Sequence, residues 1–447
     1  MASSSLNVFG NNCNDVLSAE SLMMVKEYFI EHFGVPVHTI GWGGSGGSMQ
    51  QHLIAQDYPG LLDGMLPTLS YPDIFTVASG ALDCSLLDHA LTNASSPWTN
   101  EQKTAVSGFS DWGMCTLRQL GKLTWIPSEF SPGWVNASKC DPVVPKAQVY
   151  DAASNPGGVL CTIYDNEVNV LGKDPKTGRA YRLLDNTGVE YGLAAFNAGR
   201  ITAEQFLDLN QHVGGFDQDG KIAGARMAAD TSALRRAYQT GRINTGGGGL
   251  ASIPIIDMRP YLDAVPDLHD RFRSFSTRAR LTAANGAASN QIMFTMPTAG
   301  ILYTDLTSLK SPLTLHSAEA LPVMDRWLDN IAHDPSNAPA AQKTARNKPS
   351  DLVDVCWTPS GEKIPDGPSG RCRELYPLHG DPRIAAGAPL ANDIIKCALK
   401  PVNAKDYAQP LTAGQLAKLK TIFPEGVCDY SRPGVGQQPV KELWRKY

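Results

Sequence analysis

The sequence predicts an α/β fold in which a mostly parallel sheet carries helices on both faces. Three observations support this prediction. Apolar strand patterns alternate with amphipathic helix patterns along 1–70 and again along 250–334, which is typical of parallel sheets. A glycine-rich turn at 43–47 connects a predicted strand to a predicted helix. With 447 residues, 42% of them hydrophobic and 19% charged, the chain is long enough for one large domain with insertions or for two domains.

Residues 1–70 contain the first part of the predicted core. The expected elements are a strand over 5–9, a helix over 17–33, a strand over 36–41, a helix over 47–56 and a strand over 62–69. The glycine-rich turn therefore lies between an apolar strand and a helix that a further strand follows. This order is the setting of a nucleophile elbow, so we predict an α/β-hydrolase-like core.

The remaining chain divides into three regions by composition. Residues 71–249 are rich in Pro, Gly and Asn with scattered helical patterns, and we predict a long lid insertion there. Residues 250–334 return to alternating patterns and complete the core. Residues 335–447 show little periodicity and hold four of the nine cysteines, which predicts a disulfide-stapled C-terminal extension. In the second core region, the expected elements are strands over 253–256 and 291–295 and helices over 267–284 and 318–331.

Eight of the nine cysteines fall into neighbouring pairs along the chain, which suggests four local disulfides, although spacing alone does not fix their connectivity. The neighbours are Cys84 and Cys115, Cys140 and Cys161, Cys356 and Cys372, and Cys397 and Cys428. Cys13 is left over. Together with the low charged fraction, this pattern favours an oxidising compartment. We therefore predict a secreted or periplasmic protein, although residues 1–12 lack the basic start and apolar segment of a signal peptide.

Charge and motif content argue against several function classes. A net charge of -5 without a basic run gives no electrostatic reason to expect nucleic acid or an anionic membrane, and no run of about 18 apolar residues predicts a membrane span. No CxxC, HExxH or zinc-spaced Cys/His cluster is present.

The segment Asp217-Gln218-Asp219-Gly220 opens like a calcium loop, but Ala228 stands where that loop requires Glu, so we interpret it as a hairpin or turn. We predict a small-molecule or polymeric ester substrate, without cofactor or metal.

Ser45, at the centre of Gly43-Gly44-Ser45-Gly46-Gly47, is the predicted nucleophile. A serine hydroxyl needs a base within hydrogen-bond reach and donors for the oxyanion. The flanking glycines permit a strained turn and a close approach of helix and strand, so that the serine projects at the top of the sheet. The backbone N–H of Gly46 is the predicted oxyanion donor. Ser48 is the rival hydroxyl, but it lacks a glycine two residues later and should lie within the helix.

The acid and the base are expected after the nucleophile, in the order serine, acid, histidine. Asp263, in the loop after the strand over 253–256, is the favoured acid, and Asp257, which closes that strand, is the alternative. Two histidines are equal alternatives for the base. His316 lies just before the last core helix, and His269 lies close to the acid loop.

Four segments resemble a family of large bacterial α/β-hydrolase-like proteins that are generally exported and are described as a domain of unknown function. The segments are Leu6-Asn7-Val8-Phe9-Gly10-Asn11-Asn12-Cys13-Asn14-Asp15, the elbow with Gln50-Gln51 and Tyr58-Pro59-Gly60-Leu61, Ile256-Asp257-Met258-Arg259-Pro260-Tyr261, and Phe423-Pro424-Glu425-Gly426-Val427-Cys428-Asp429-Tyr430. The resemblance spans nearly the whole chain and implies a hydrolase without naming a substrate. Among the candidate site residues it extends to Ser45.

The chain departs from the usual α/β-hydrolase in the length that precedes its elbow. Such enzymes place several strands before the nucleophile, and one early loop supplies an oxyanion N–H. Here 44 residues precede Ser45, so we expect the early strands to be missing from this sequence. We therefore expect a missing N-terminal segment or a second chain as a partner, with Cys13 as a residue that such a partner would contact.

Three functions are compatible with this pattern. The leading hypothesis is hydrolysis of a carboxylic ester through an acyl-enzyme on Ser45. The first alternative is an amidase or acyltransferase with the same nucleophile. The second is a non-catalytic subunit, or a fragment of a longer or split hydrolase, that keeps the elbow without a complete oxyanion hole.

Overall fold

The computed structural model describes residues 2–4, 14–116, 134–265, 267–298, 311–367, 370–441 and 443. The strand predicted over 5–9 and Cys13 lie outside these residues. The described strands are β1 (Ile40–Gly44), β2 (Gly64–Thr68), β3 (Gly215–Phe216), β4 (Ile222–Ala223), β5 (Ile255–Pro260), β6 (Gln291–Met296), β7 (Val355–Trp357), β8 (Lys363–Pro365), β9 (Leu399–Lys400) and β10 (Val427–Cys428).

The described helices are α1 (Asp15–Phe33), α2 (Gly46–Asp57), α3 (Ile74–Thr92), α4 (Asn100–Ser107), α5 (Gly113–Thr116), α6 (Ile163–Asn166), α7 (Val168–Leu171), α8 (Leu193–Asn197), α9 (Ala203–His212), α10 (Thr231–Gln239), α11 (Phe272–Asn285), α12 (Pro312–Ala332), α13 (Ala340–Arg346), α14 (Arg371–Leu375), α15 (Pro382–Ala385) and α16 (Ala413–Ile422). Short 3-10 turns occur at Lys146–Gln148, Leu250–Ser252 and Ala404–Asp406.

A six-stranded sheet in the order β1-β2-β5-β6-β7-β8 lies at the centre of the fold. Neighbouring strands are parallel from β1 to β7, and β8 is antiparallel to β7. The prediction of an α/β fold with a mostly parallel sheet is confirmed. Because the carboxyl ends of parallel strands meet at one edge of a sheet, the turns after β1, β2 and β5 lie side by side.

Helices cover both faces of the sheet, because successive side chains of a strand point to opposite sides. On one face, Ile256 of β5 packs in the same apolar cluster as Trp327 of α12. On the other face, Ile255 belongs to a cluster with Ile54 of α2 and Leu281 of α11. Adjacent residues of one strand therefore contribute to two different cores.

The long stretch between β2 and β5 is an insertion into the sheet, since these two strands are direct neighbours. Its first helix, α3, begins after Asp73, whose carboxylate accepts the N–H of Thr76 at 2.8 Å. By length and composition α3 could cross a membrane, but 83% of its apolar stretch is buried inside the fold, as in a core helix. It shares an extended apolar cluster with α9, α10 and α16.

The C-terminal region extends the central sheet as well as carrying disulfides. β7 pairs with β6, and β8 returns beside β7. The sequence analysis missed both strands because three residues are too few to show a period.

The predicted neighbouring cysteines are all bonded, as Cys84–Cys115, Cys140–Cys161, Cys356–Cys372 and Cys397–Cys428.

A row of arginines on and next to α11 attaches the C-terminal region and the insertion to the core. The ion pairs are Arg271–Asp366, Arg273–Asp381, Arg278–Asp354 and Arg280–Asp73. Three of the carboxylates belong to the C-terminal region, and the fourth caps α3. A buried guanidinium that loses its carboxylate costs several kcal/mol, so this row fixes how both regions sit on α11.

The strand predicted over 36–41 lies at Ile40–Gly44 instead. Val35 and Val37 are exposed, so the apolar run before Ile40 is not a buried strand. Pro36 also lacks the N–H that a paired position requires. Residues 34–39 therefore connect α1 to the sheet without joining its hydrogen-bonded ladder.

One buried guanidinium lies among three carboxyl groups between α1, α2 and the insertion. Arg242 contacts Asp15 at 3.0 Å and Asp57 at 2.6 Å, and Glu167 accepts the backbone N–H of Asp15 at 3.2 Å. Burial raises the pKa of Asp57 to about 7, even though the charge of Arg242 acts in the opposite direction. Burial also raises the pKa of Glu167 well above its ordinary value. The cluster therefore retains protons near neutral pH.

We expect Asp57 to make the free energy of unfolding fall as the pH rises from about 4 to about 7. Its pKa is about 7 in the folded state and about 3.9 in an unfolded chain. The folded state therefore binds the proton more tightly, and this advantage is lost through that window, by up to about 1.4 kcal/mol per pH unit. Urea unfolding at several pH values should show a shallower dependence for Asp57→Asn. Equal slopes in both proteins would contradict this account.

Candidate active site

The turn after β1 holds Ser45 in a backbone conformation that is strained for a residue with a side chain. Its φ is 53° and its ψ is -113°, a region that residues other than glycine rarely adopt. The N–H of Ser45 donates to the carbonyl oxygen of Thr68 at 3.0 Å, and its own carbonyl accepts the N–H groups of Ser48 and Met49 at 2.9 and 3.2 Å. These bonds fix Ser45 between the end of β1 and the first turn of α2.

Glycines on both sides of Ser45 allow strand, helix and neighbouring strand to approach. A Cβ atom at Gly44 would lie 2.6 Å from Thr68 Oγ1, and one at Gly43 would lie 3.2 Å from the Cα of Gly47. The side-chain amide of Gln51 donates to the carbonyl oxygens of Gly43 and Gly47, at 3.0 Å each. The side chain of Gln51 thus bonds α2 to β1 beside Gly43 and Gly47, which carry no side chains.

The backbone N–H of Gly46 lies at the N-terminus of α2. Helix N-termini favour negative charge, because their first N–H groups have no partner within the helix. Across the described residues, this N–H makes no backbone hydrogen bond. It is therefore available to an anion that forms next to Ser45, and it would supply one of the two donors of an oxyanion hole.

The loop after β5 pairs His269 with Asp267. His269 Nδ1 lies 2.5 Å from Asp267 Oδ1, which also accepts the backbone N–H of His269 at 2.9 Å. Burial alone would raise the pKa of the Asp267 carboxyl, but the charge and hydrogen bonds of His269 outweigh burial and lower it. Asp267 is therefore ionised near neutral pH. It favours the tautomer with the proton on Nδ1, so that Nε2 is the basic nitrogen.

Three contacts connect Ser45 to His269. The hydroxyl of Ser48 donates to the carbonyl oxygen of Ser45 at 2.6 Å. The same hydroxyl accepts the backbone N–H of Tyr71 at 2.9 Å. The ring of Tyr71 packs against the imidazole of His269, with 5.1 Å between the ring centres. The turn after β2 therefore contacts both the turn at 43–47, the nucleophile turn, and the loop after β5 that carries His269, the histidine loop.

The acids favoured by the sequence make other contacts. Asp263 accepts the backbone N–H of Arg271 at 2.7 Å, and burial raises its pKa to about 6. Asp257 does not close its strand as predicted, because β5 continues to Pro260. It is fully buried inside the sheet. The carboxylate within hydrogen-bond distance of His269 Nδ1 is that of Asp267.

His316, the other candidate base, lies within α12, which begins at Pro312, and not before the helix as predicted. Its ring packs against the ring of Trp357 of β7 with 3.8 Å between the ring centres, and its Nδ1 lies 3.3 Å from Glu319. The contacts that lead from Ser45 through Ser48 and Tyr71 reach His269, whereas His316 contacts Trp357 and Glu319.

The sequence analysis missed Asp267 because it placed this residue in a helix over 267–284. Two residues apart on a helix, Asp267 and His269 would point away from each other, whereas the observed helix begins at Phe272 and the loop lets them meet. Arg259 was missed as well. It is fully buried in β5, and its guanidinium donates to the carbonyl oxygen of His269 at 3.2 Å. An arginine inside an apolar strand was the available signal, because a buried cation needs specific partners.

The hairpin interpretation of 217–220 is confirmed. β3 and β4 pair in antiparallel fashion around this turn, and Asp217 Oδ1 accepts the N–H groups of Asp219 and Lys221 at 2.9 Å each. Throughout the part of the chain that the structure describes, no group of three or more His, Cys, Asp or Glu side chains is arranged to hold a metal ion.

A family model described as "Tannase-like family of unknown function (DUF6351)" matches residues 1–439. The match includes both parts of the core, the insertion and nearly all of the C-terminal region. No curated protein matches the chain.

Gly44→Ala should disturb the nucleophile turn, whereas Gly47→Ala should not. The added methyl group at position 44 would meet Thr68 Oγ1 at 2.6 Å, whereas one at position 47 would meet nothing within 4 Å. Overpacking of this kind costs about 1–3 kcal/mol, and alanine in a helix gains up to about 1 kcal/mol over glycine. Urea unfolding of both variants measures the difference. Equal stabilities would show that the close approach at Gly44 is not required.

Ser48→Ala should destabilise the protein by about 1–3 kcal/mol, because the buried N–H of Tyr71 loses its acceptor. Ser79→Ala is the matched control, since Ser79 is also a buried helical serine and its hydroxyl donates to Phe75 of its own helix at 3.0 Å. Its loss leaves no buried donor unpaired. The comparison is made by urea unfolding, and a Ser48 variant as stable as the Ser79 variant would remove the proposed link between the two turns.

Proposed function

Since the chain belongs to the tannase-like family of unknown function, we propose that it is a serine hydrolase with an α/β-hydrolase-like core, which cleaves carboxylic esters through an acyl-enzyme on Ser45. The observation that carries this proposal is the positive φ of Ser45 in a glycine-flanked turn between a strand and a helix. Proteins retain such strain mainly at functional sites, and a strained serine at this kind of turn is typical of α/β-hydrolases. The tannase-like description supports an ester as the bond that is cleaved.

We assign the general base to His269 and its orienting acid to Asp267. In the first half-reaction, Ser45 Oγ attacks the ester carbonyl carbon while its proton passes to His269 Nε2, and the N–H of Gly46 stabilises the oxyanion. His269 then donates this proton to the departing alcohol. In the second half-reaction, a water molecule gives one proton to His269 while its oxygen attacks the acyl carbon. The bond between this carbon and Ser45 Oγ then breaks, the carboxylic acid leaves, and His269 returns the proton to Ser45 Oγ.

Two observations support these roles. The 2.5 Å contact between Asp267 and Nδ1 favours the tautomer in which Nε2 can accept a proton. The chain order Ser45, Asp267, His269 also matches the order that α/β-hydrolases use. In this assignment Asp263 supports the loop through its bond to Arg271 and takes no part in the chemistry.

We further propose that the protein acts outside the cytoplasm, on a small-molecule or polymeric ester. Its four disulfides are typical of secreted and periplasmic proteins. With a net charge of -5, no electrostatic attraction favours a strongly anionic substrate.

A fluorophosphonate should label Ser45, and mass spectrometry of the digested protein should locate the adduct there. Hydrolysis of p-nitrophenyl acetate should fall by at least about 10³-fold in Ser45→Ala and His269→Ala, because either change removes a member of the catalytic unit. Asp267→Asn should lower kcat by about 10²–10⁴-fold through the wrong imidazole tautomer.

His316→Ala is the matched control and should keep its rate within about twofold, since a histidine remote from the reacting atoms contributes little to kcat. A folded chain that remains unlabelled would refute the proposal. Loss of activity in His316→Ala with activity retained in His269→Ala would transfer the base to His316. The anilide that corresponds to p-nitrophenyl acetate tests the amidase alternative. An amidase would cleave this anilide at a rate comparable with that of the ester.

A further inference from the structure

Arg259 is a fully buried arginine of β5, and its guanidinium group bonds to three segments of the core. Nε donates to the hydroxyl of Ser274 on α11 at 3.0 Å. Nη1 donates to the carbonyl oxygen of His269 at 3.2 Å, and Nη2 donates to the carbonyl oxygen of Ser70. Because a guanidinium group is planar and its donors form a rigid fork, these bonds hold the turn after β2 and the histidine loop at a fixed separation.

The bond to His269 acts on the backbone that sets the orientation of the imidazole. Asp267 Oδ1 accepts the backbone N–H of His269 at 2.9 Å and lies 2.5 Å from its Nδ1. One carboxylate oxygen therefore contacts both the backbone and the ring of the same residue. Since Arg259 holds the carbonyl group of that residue, a shift of this backbone would move the imidazole relative to Asp267.

The bond to Ser70 acts on the other side of the imidazole. Ser70 directly precedes Tyr71, whose ring packs against the imidazole of His269 with 5.1 Å between the ring centres. The N–H of Tyr71 donates to Ser48 at 2.9 Å, and the hydroxyl of Ser48 donates to the carbonyl oxygen of Ser45. One guanidinium group thus holds the backbone of the proposed base and the backbone next to the ring that packs on it.

The positive charge of Arg259 acts on the carboxyl groups around it. The groups on which it acts belong to Asp257, Asp263, Asp267 and Asp270. Burial acts to raise the pKa of each of these carboxyl groups, and the charge of Arg259 acts to lower it. Arg271 acts in the same direction on Asp263, as does Arg273 on Asp270. Tyr71 stays neutral, because burial raises its pKa well above the ordinary value.

We infer that Arg259 is a positioning residue of the proposed hydrolase, which holds the imidazole of His269 and the ring of Tyr71 in the arrangement that proton transfer to and from Ser45 requires. This inference rests on the proposed function. Arg259 acts through its bonds to two backbone carbonyl groups and has no part in the covalent steps. Its charge contributes as well, because it favours the ionised form of the carboxylate that orients the base.

Arg259→Lys keeps the charge but loses the fork, since an ammonium group is a point charge without planar geometry. The kcat for p-nitrophenyl acetate should fall by about 10–100-fold, because a small misplacement of a catalytic group costs up to about 10²-fold. KM should stay within about threefold, since no contact with the substrate is changed.

Arg383→Lys is the matched control. Arg383 is also a buried arginine, and it bonds to Asp83 of α3 and to the carbonyl oxygen of Asp185, which belong to neither turn of the site. Its kcat should stay within about twofold of the wild-type value, since a residue remote from the reacting atoms contributes little to kcat.

Arg259→Gln removes the charge and tests its separate effect. Loss of a nearby positive charge makes protonation of Asp267 and of the imidazole easier, so the acid limb of the kcat/KM profile should move to higher pH by at least about 0.5 pH unit. In Arg259→Lys the midpoint of this limb should stay at its wild-type position. An arginine needed only for folding would lower the activity without moving the midpoint.

Circular dichroism and urea unfolding check that each variant is folded. If the Arg259 variants do not fold, Ser274→Ala replaces them, because it removes the acceptor of Nε and keeps the charge. Its control is Ser276→Ala, which is also fully buried on α11 but donates to Phe272 and Leu390. The kcat of Ser274→Ala should be lower than that of Ser276→Ala by about 3–10-fold, and equal values would overturn the inference.

Wild-type kcat in Arg259→Lys would also overturn the inference, as would an equal loss in Arg383→Lys. NMR of the chain with ¹⁵N-labelled histidine gives a readout independent of activity, because Asp267 contacts Nδ1 of His269. This signal, identified by its loss in His269→Ala, should shift in Arg259→Lys and not in Arg383→Lys.

The two proposals fail in different ways. A shifted His269 signal in a chain that a fluorophosphonate does not label would support the positioning of His269 by Arg259 and refute the hydrolase. Labelling of Ser45, together with an unshifted signal and wild-type kcat in Arg259→Lys, would support the hydrolase and overturn the inference.

Discussion

The arrangement of the candidate site depends on the strained backbone of Ser45. A positive φ at a residue with a side chain costs about 1–3 kcal/mol, and the structure offsets this cost with hydrogen bonds on both sides of the residue. Thr68 accepts the N–H of Ser45, and the hydroxyl of Ser48 donates to its carbonyl oxygen. Because Ser48 also accepts the N–H of Tyr71, the bonds that hold the nucleophile turn also position the residue that packs against His269.

The C-terminal region contributes no proposed catalytic group, yet it helps to hold the histidine loop. Arg271 ends that loop, and its side chain donates to Asp366 at 2.6 Å and to the carbonyl oxygen of Tyr376 at 2.8 Å. Its backbone N–H donates to Asp263. At the other end of the loop, Arg259 of β5 donates to the carbonyl oxygen of His269. Two buried guanidinium groups therefore restrain the segment that carries the proposed base.

The sequence predicted what local pattern and spacing determine. The α/β class, the neighbouring disulfides and the hairpin at 217–220 follow from periodicity, cysteine spacing and turn chemistry. The short strands β7 and β8 do not, because their pairing depends on the rest of the sheet. The contact between Asp267 and His269 could not be predicted either, because it requires a helix that begins at Phe272 instead of near Asp267. An error of about one helical turn at this boundary was enough to hide the contact between Asp267 and His269.

We propose that the turn after β1 and the loop after β5 together form a hydrolytic site. A crystal structure of the chain after reaction with a fluorophosphonate would test this claim most directly. We expect phosphorus bonded to Ser45 Oγ, with His269 Nε2 within hydrogen-bond distance of the adduct and the Asp267 carboxylate still in contact with Nδ1. An adduct on another residue, or His316 in place of His269, would contradict it.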